Sequence, residues 1–154
     1  MHAEDGAGVW QLIQRAGTLD LNSAYLYLLL GKFFGRTCLV AEAGDALVGF
    51  TTAFVPPGRQ DTVFLWQIGV DPEWQGQGIA GALVRGLMEL DACRAARFLE
   101  TTVTPSNKSS RALFASYARK QGTSIEELPC FPSQLFPDRG HEAEMLLRIG
   151  PLRS

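Results

Sequence analysis

At 154 residues, with 46% hydrophobic and 19% charged side chains, the chain has enough apolar surface to bury a core without disulfides or metal. A formal net charge of -2 and the lack of any basic block exclude a nucleic-acid footprint, which needs clustered Lys and Arg. The longest apolar stretch, around Ala24 to Leu30, is too short to span a membrane.

In chain order, Val9 to Arg15 predicts a short helix. The polar run Gly17-Thr18-Leu19-Asp20-Leu21-Asn22-Ser23 comes next, with several side chains able to cap a second helix, Ala24 to Phe34. Thr37 to Ala43 (TCLVAEA) predicts a buried strand, turned at Gly44-Asp45 into Ala46 to Val55 and ended by Pro56-Pro57-Gly58. Thr62 to Val70 (TVFLWQIGV) is nearly all apolar, as a central strand buried on both faces should be, and Pro72 stops it. Ile79 to Ala96 predicts a long helix with small residues at its start and Leu83, Leu87 and Leu90 along it. Phe98 to Val103 predicts a strand, Ser109 to Lys120 a helix, and Met145 to Ile149 a last strand; Thr123 to Gly140, rich in Pro and Phe, gives no pattern. A strand meander followed by a strand-helix-strand unit predicts an α/β fold (α+β with a mixed sheet). No repeat or linker interrupts it, so residues 1–154 are expected to form a single domain.

Cys38, Cys93 and Cys130 lie far apart in an odd number, neither a disulfide framework nor a zinc spacing, and no metal is expected. Cys38 and Cys93 sit in apolar surroundings and read as core. The opening MHAEDGAGVWQ has no basic start followed by an apolar run, so no secretory leader is expected and the cytoplasm is the default compartment.

Chemistry concentrates between Trp66 and Ala80, where a strand and a short turn lead into the loop Gln75-Gly76-Gln77-Gly78, which opens a helix. Glycines let backbone N–H groups approach a ligand closely, and the helix N-terminus adds partial positive charge, so a diphosphate is held without basic side chains. A P-loop is excluded, because no Gly-Lys-Ser/Thr follows Gly78. Gly76-Gln77-Gly78-Ile79-Ala80-Gly81 has the dinucleotide glycine spacing, but it follows an Asp-Pro-Glu-Trp turn late in the chain. That fold also needs more parallel βαβ units than the chain displays.

Gln75 to Ala80 resembles the Q/R-x-x-G-x-G/A loop of the GNAT acetyltransferases, and Ile68-Gly69-Val70-Asp71-Pro72 resembles the strand and turn that lead into it. The resemblance implies the GNAT fold, a central mixed sheet flanked by helices, with acetyl-CoA as co-substrate. It implies that the amides of Gln75, Gly76, Gln77, Gly78, Ile79 and Ala80 hold the pyrophosphate. Ile68, Gly69 and Val70 would pair with the pantetheine arm and polarise the thioester, and Asn107 would lie near that arm. Further blocks look like the diaminobutyrate acetyltransferases of ectoine synthesis: Leu19 to Tyr25, Pro56-Pro57, Phe64-Leu65-Trp66-Gln67, Thr104 to Phe114, and Gly140-His141-Glu142-Ala143-Glu144. They imply acetyl transfer to the γ-amine (N4) of L-2,4-diaminobutyrate and a homodimer, with Phe131 and Phe136 serving either its interface or the core. Two departures stand out. Phe114 occupies the place of the family's usual tyrosine acid, the nearest tyrosine being Tyr117 about one helical turn on, and the family's first strand is short or absent.

A diamino acid needs acceptors for its amines and donors for its carboxylate. Asp20, Asn22, Tyr25, Trp66, Gln67, Glu142 and Glu144 are the candidates. Each has a plainer role available: a helix cap for Asp20 and Asn22, core for Trp66, a solvated strand entrance for Glu142 and Glu144. An alkyl amine with a pKa of about 10 arrives protonated, so some group must take its proton. Glu144, Glu142, His141 and Asp20 stay open for that task, and Tyr117, a water or no acid at all for protonating the thiolate. No cysteine is flanked by a base, which favours direct attack in a ternary complex over an acetyl-enzyme. The rival readings are a GNAT enzyme for another small amine or peptide, and a non-catalytic acetyl-CoA-binding module. The intact loop favours an enzyme.

Overall fold

Residues 1–152 are described by a computed structural model. The first helix, α1 (Gly6–Ala16), buries Val9, Leu12 and Ile13 along one stripe, each contributing about 2 kcal/mol of burial. It ends at Gly17, whose φ of 63° is the left-handed cap that glycine adopts without strain. The second, α2 (Ala24–Phe33), is capped by the Ser23 hydroxyl, which accepts the Tyr25 N–H. Asp20 and Asn22 are therefore not the helix caps. The chain then runs through β1 (Leu39–Ala43), β2 (Ala46–Phe54), β3 (Thr62–Val70), α3 (Ile79–Glu89), β4 (Phe98–Val103), α4 (Lys108–Gln121), β5 (Ser124–Phe131) and β6 (Glu144–Gly150).

Helix α1 starts at Gly6 rather than Val9, and three further elements differ from expectation. Strand β1 starts at Leu39, because Gly35–Thr37 forms a 3-10 turn and the Thr37 hydroxyl donates to the Ala53 carbonyl at 2.7 Å. Helix α3 ends at Glu89 rather than Ala96, with Leu90 extended (ψ 142°) and tight turns to Ala96. Those turns bring the Arg97 and Phe98 N–H groups onto the Asp61 carbonyl at 2.8 and 3.0 Å; a continued helix would run roughly 10 Å further and overshoot β4. Strand β5 occupies the stretch without a pattern. It is an edge strand, exposed along most of its length, so no buried face imposed an alternation, and Glu126, Glu127 and Pro129 suit an unpaired edge.

The six strands form one mixed sheet in the order β1-β2-β3-β4-β6-β5, and β3–β4 is its single parallel pairing. Val63, Leu65, Leu99, Leu147 and Ile149 pack with Val84 and Leu87 of α3 and Phe114 of α4; Phe50 packs with Val9, Leu12, Ile13 and Tyr27 of α1 and α2. Cys93 lies in the first of these clusters, where burial pushes its thiol up to about 11, and buried Cys38 is raised for the same reason.

Two local irregularities open the middle of the sheet. Pairing of β3 with β4 covers only Thr62↔Phe98, Val63↔Leu99 and Phe64↔Glu100, so the strands part beyond Glu100. That last pair carries a carboxylate only 2% exposed, held by Arg59 from the β2–β3 loop and by Arg148 of β6. Against β2, Thr52↔Gln67 is followed by Ala53↔Leu65, leaving Trp66 as the extra residue of a bulge. The bulge re-aims Trp66 and Gln67 relative to the regular alternation of β3.

Candidate active site

The parted strands enclose a cleft of about 330 Å³, lined by Asp20 and Asn22 from the α1–α2 loop, Trp66, Gln67 and Ile68 of β3, Thr101 to Val103 of β4, Thr104, Asn107, Phe114, His141 and Glu144. Four separate stretches of sequence thus converge. Trp66 is 40% exposed, which rules out pure core for it. Among the described residues no Lys or Arg lines the cleft, and the carboxylates in its lining are Asp20 and Glu144.

Not every predicted residue reaches it. Tyr25 is 65% exposed on α2 and does not line the cleft. Glu142 faces a neighbouring pocket of about 520 Å³, where it accepts a hydrogen bond from the Ser106 hydroxyl, and where Phe136 stacks on His141 at 3.7 Å. Tyr117 lies in the core beneath α4, outside the lining; burial, then the charge of Glu89, holds its phenol above the ordinary value. Asn107 is the α4 cap, its Oδ1 accepting the Ser110 N–H at 3.1 Å, and it also lines the cleft. The threonines of β4 are cleft residues that no sequence motif singled out. Their one signal is the hydroxyl-rich run Thr101-Thr102-Val103-Thr104 at the end of a strand.

Glu144 has the environment of a proton acceptor. Burial raises its carboxyl pKa above the usual range, and the charges of Asp20 and Glu142 add to this; His141 and a hydrogen bond from Thr102 act the other way. A carboxylate so placed holds a proton more readily than one in water.

Beyond the cleft, Ile68, Gly69 and Val70 pair on one side with β2 and have no strand partner on the side facing β4. The chain then turns at Asp71, clamped by Arg15 of α1 at 2.9 Å, and enters the glycine loop. Gly76 and Gly78 adopt φ of 76° and 81°, which a side chain would strain, and Gly78 is the N-cap of α3. The Gln75 side chain donates to the Val70 carbonyl at 3.3 Å, and the N–H groups of Gly76, Gln77 and Gly78 find no backbone acceptor among the described residues. Those N–H groups, with the first of α3, form an anion cradle continuous with the open edge of β3. The residues present therefore suit a long ligand with a diphosphate at one end and a hydrogen-bonding arm laid along β3. Among the described residues no cluster of His, Cys, Asp or Glu is arranged to hold a metal, and no helix is long and apolar enough to cross a membrane.

Known proteins match this arrangement. The family model described as acetyltransferase (GNAT) matches residues 8–118. The L-2,4-diaminobutyric acid acetyltransferase of Marinococcus halophilus is 51% identical over 148 residues, covering 96% of this chain and 86% of that protein. The protein of the same name from Shouchella clausii is 50% identical, covering 98% and 84%. Among solved structures, diaminobutyrate acetyltransferase EctA from Paenibacillus lautus, in complex with L-2,4-diaminobutyric acid and coenzyme A, superposes with a TM-score of 0.94 at 45% identity, over 99% of this chain and 93% of that one.

Proposed function

The chain belongs to the acetyltransferase (GNAT) family, and from that premise we propose that its cleft transfers acetyl from acetyl-CoA to the γ-amine (N4) of L-2,4-diaminobutyrate, giving N4-acetyl-L-2,4-diaminobutyrate. The observation that carries this reading is the meeting of two carboxylates, Asp20 and Glu144, with Trp66 and the Gln67 amide in a cleft that no Lys or Arg lines among the described residues, at the open edge of β3. A diammonium substrate finds its acceptors there.

Each residue has a distinct task. Amides of Gln75 to Ala80 hold the coenzyme pyrophosphate, and Ile68 to Val70 hold its arm and polarise the thioester carbonyl. Asn107 flanks that arm. Asp20, Asn22, Trp66 and Gln67 seat the amino acid. Glu144 takes one proton from the γ-ammonium, directly or through one water; the freed nitrogen pair adds to the carbonyl carbon, the second N–H proton of the adduct passes to water, and the C–S bond breaks to leave the amide and the thiolate. Phe114 is in the lining and no tyrosine is, among the described residues, and a thiol of pKa about 8.5 leaves as thiolate. Tyr117→Phe is accordingly expected to keep kcat within about twofold. A tenfold loss at unchanged Tm would instead make Tyr117 the thiolate's proton source.

A single domain working as a cytoplasmic homodimer in osmolyte synthesis completes the proposal. Exposed Leu128 and Phe131 on edge strand β5 support the dimer, and light scattering in solution tests it. The reaction is tested by thiol release from acetyl-CoA with L-2,4-diaminobutyrate, ornithine, lysine and a peptide amine, the product identified by mass and NMR. Selective γ-acetylation of diaminobutyrate is expected; coenzyme binding without turnover of it would overturn the assignment. Because the amine must shed a proton, activity is expected to rise toward alkaline pH. A flat profile up to about pH 9, with chemistry rate-limiting, would contradict the base step.

A further inference from the structure

A hydrogen-bond chain runs from behind α1 to the wall of the cleft, and its direction is fixed by chemistry. The Trp10 indole N–H donates to the Asn22 carbonyl at 2.9 Å, anchoring the α1–α2 loop. The Asn22 side chain lies 3.3 Å from the main-chain carbonyl of Asp20, which can only accept, so its nitrogen faces that way. The same nitrogen donates its second hydrogen to the Tyr27 hydroxyl oxygen at 3.3 Å. The one hydroxyl hydrogen is then left for Gln67 Oε1, also at 3.3 Å. Tyr27 is 0% exposed, so no water competes for that bond.

With Oε1 engaged, Gln67 must present its NH2 elsewhere. That nitrogen has no partner among the described residues and is not a sealed, unpaired atom, and Gln67 lines the cleft; its two N–H donors open on the acceptor site. Thr52, its cross-strand neighbour, is buried with an unpaired hydroxyl and does not draw the amide away. Among the described residues no Lys or Arg lines the cleft, yet an amino-acid substrate brings a carboxylate that needs donors.

We propose that Tyr27 is a positioning residue, which locks the Gln67 amide with its NH2 toward the cleft, and that this amide receives the substrate carboxylate. The inference rests on the amino-acid substrate of the proposed function. It assigns selectivity between a diamino acid and a simple diamine to a buried tyrosine that does not touch either.

The test compares L-2,4-diaminobutyrate with 1,3-diaminopropane, which has the same amine spacing and no carboxylate. Tyr27→Phe is expected to lower the preference for diaminobutyrate, as a ratio of kcat/KM values, by about tenfold, mostly through KM, with diaminopropane turnover unchanged. Gln67→Met, which keeps the length but loses both donors, is expected to shift the ratio the same way, and it keeps the test alive if Tyr27→Phe fails to fold. Equal losses on both substrates would mark a merely structural effect and overturn the inference, as would an unchanged ratio in either folded variant. Wild-type protein that binds coenzyme but does not turn over diaminobutyrate would overturn the functional reading and this inference together.

Discussion

Glu144→Gln is expected to lower kcat by about a hundredfold or more while leaving coenzyme affinity intact. Glutamine keeps the size of the side chain and its capacity to accept from Thr102, and it removes only the ability to take a proton. Glu144 opens β6, the strand that Arg148 ties to β4, so its position comes from the sheet rather than from a free loop. Burial raises its carboxyl pKa, and a group whose folded pKa lies above its unfolded value favours folding only at acid pH. That contribution is complete below the unfolded carboxylate pKa and is lost as pH rises through the raised folded one. At neutral pH the charged side chain therefore works against the fold, and Glu144→Gln should raise Tm there, the gain shrinking as the medium is acidified. Lower kcat with higher Tm is the expected mark of a residue kept for chemistry. Glu142→Gln is the control: Glu142 sits outside the cleft on Ser106, and kcat should stay within about threefold. A larger loss in Glu142→Gln than in Glu144→Gln would transfer the base role.

Burial decided how much of the fold the sequence made legible. The central strands Thr62–Val70 and Phe98–Val103 were legible to the residue, because they are buried along most of their length and β-branched and aromatic residues bounded by proline mark them. Edge strand β5 was not, since water rather than core faces most of it. The glycine loop was legible because its φ values demand glycine. The cleft was only half legible. Asp20, Asn22, Trp66, Gln67 and Glu144 do converge, but separating Glu144 from Glu142, two residues away, needed the fold to show which carboxylate lines the cleft and which bonds Ser106. Trp66 shows the same limit: a one-residue bulge, invisible in the pattern, decides whether it faces core or cleft. Tyr27, inside the expected helix Ala24 to Phe34, carried no signal of its own, because its bond to Gln67 spans forty positions of chain.

The largest stability effect is expected at the apex where β3 and β4 part. Arg148→Met removes a cation that bonds Glu100 and stacks over Phe98 at 3.7 Å, leaving a carboxylate 2% exposed with Arg59 alone. Leaving a buried carboxylate with one of its two cations costs about 2 kcal/mol, and a chain of this size should lose roughly 6 °C of Tm. The cost comes from the under-compensated buried carboxylate more than from the lost attraction, so Glu100→Met/Arg148→Met should be less destabilised than Arg148→Met alone. In the double variant Arg59, whose side chain is 43% exposed, can turn to water. Equal or additive losses across the two variants, measured by thermal unfolding, would mean that the pair acts as a surface contact. Because Glu100 forms the last rung before the cleft, its loosening should also be felt in coenzyme binding. The open edge of β3 can hold the arm only while the strands below stay at pairing distance, so KM for acetyl-CoA should rise in Arg148→Met at temperatures where the protein is still folded. Added salt should rescue neither effect, since screening acts on exposed charges and this carboxylate is not exposed.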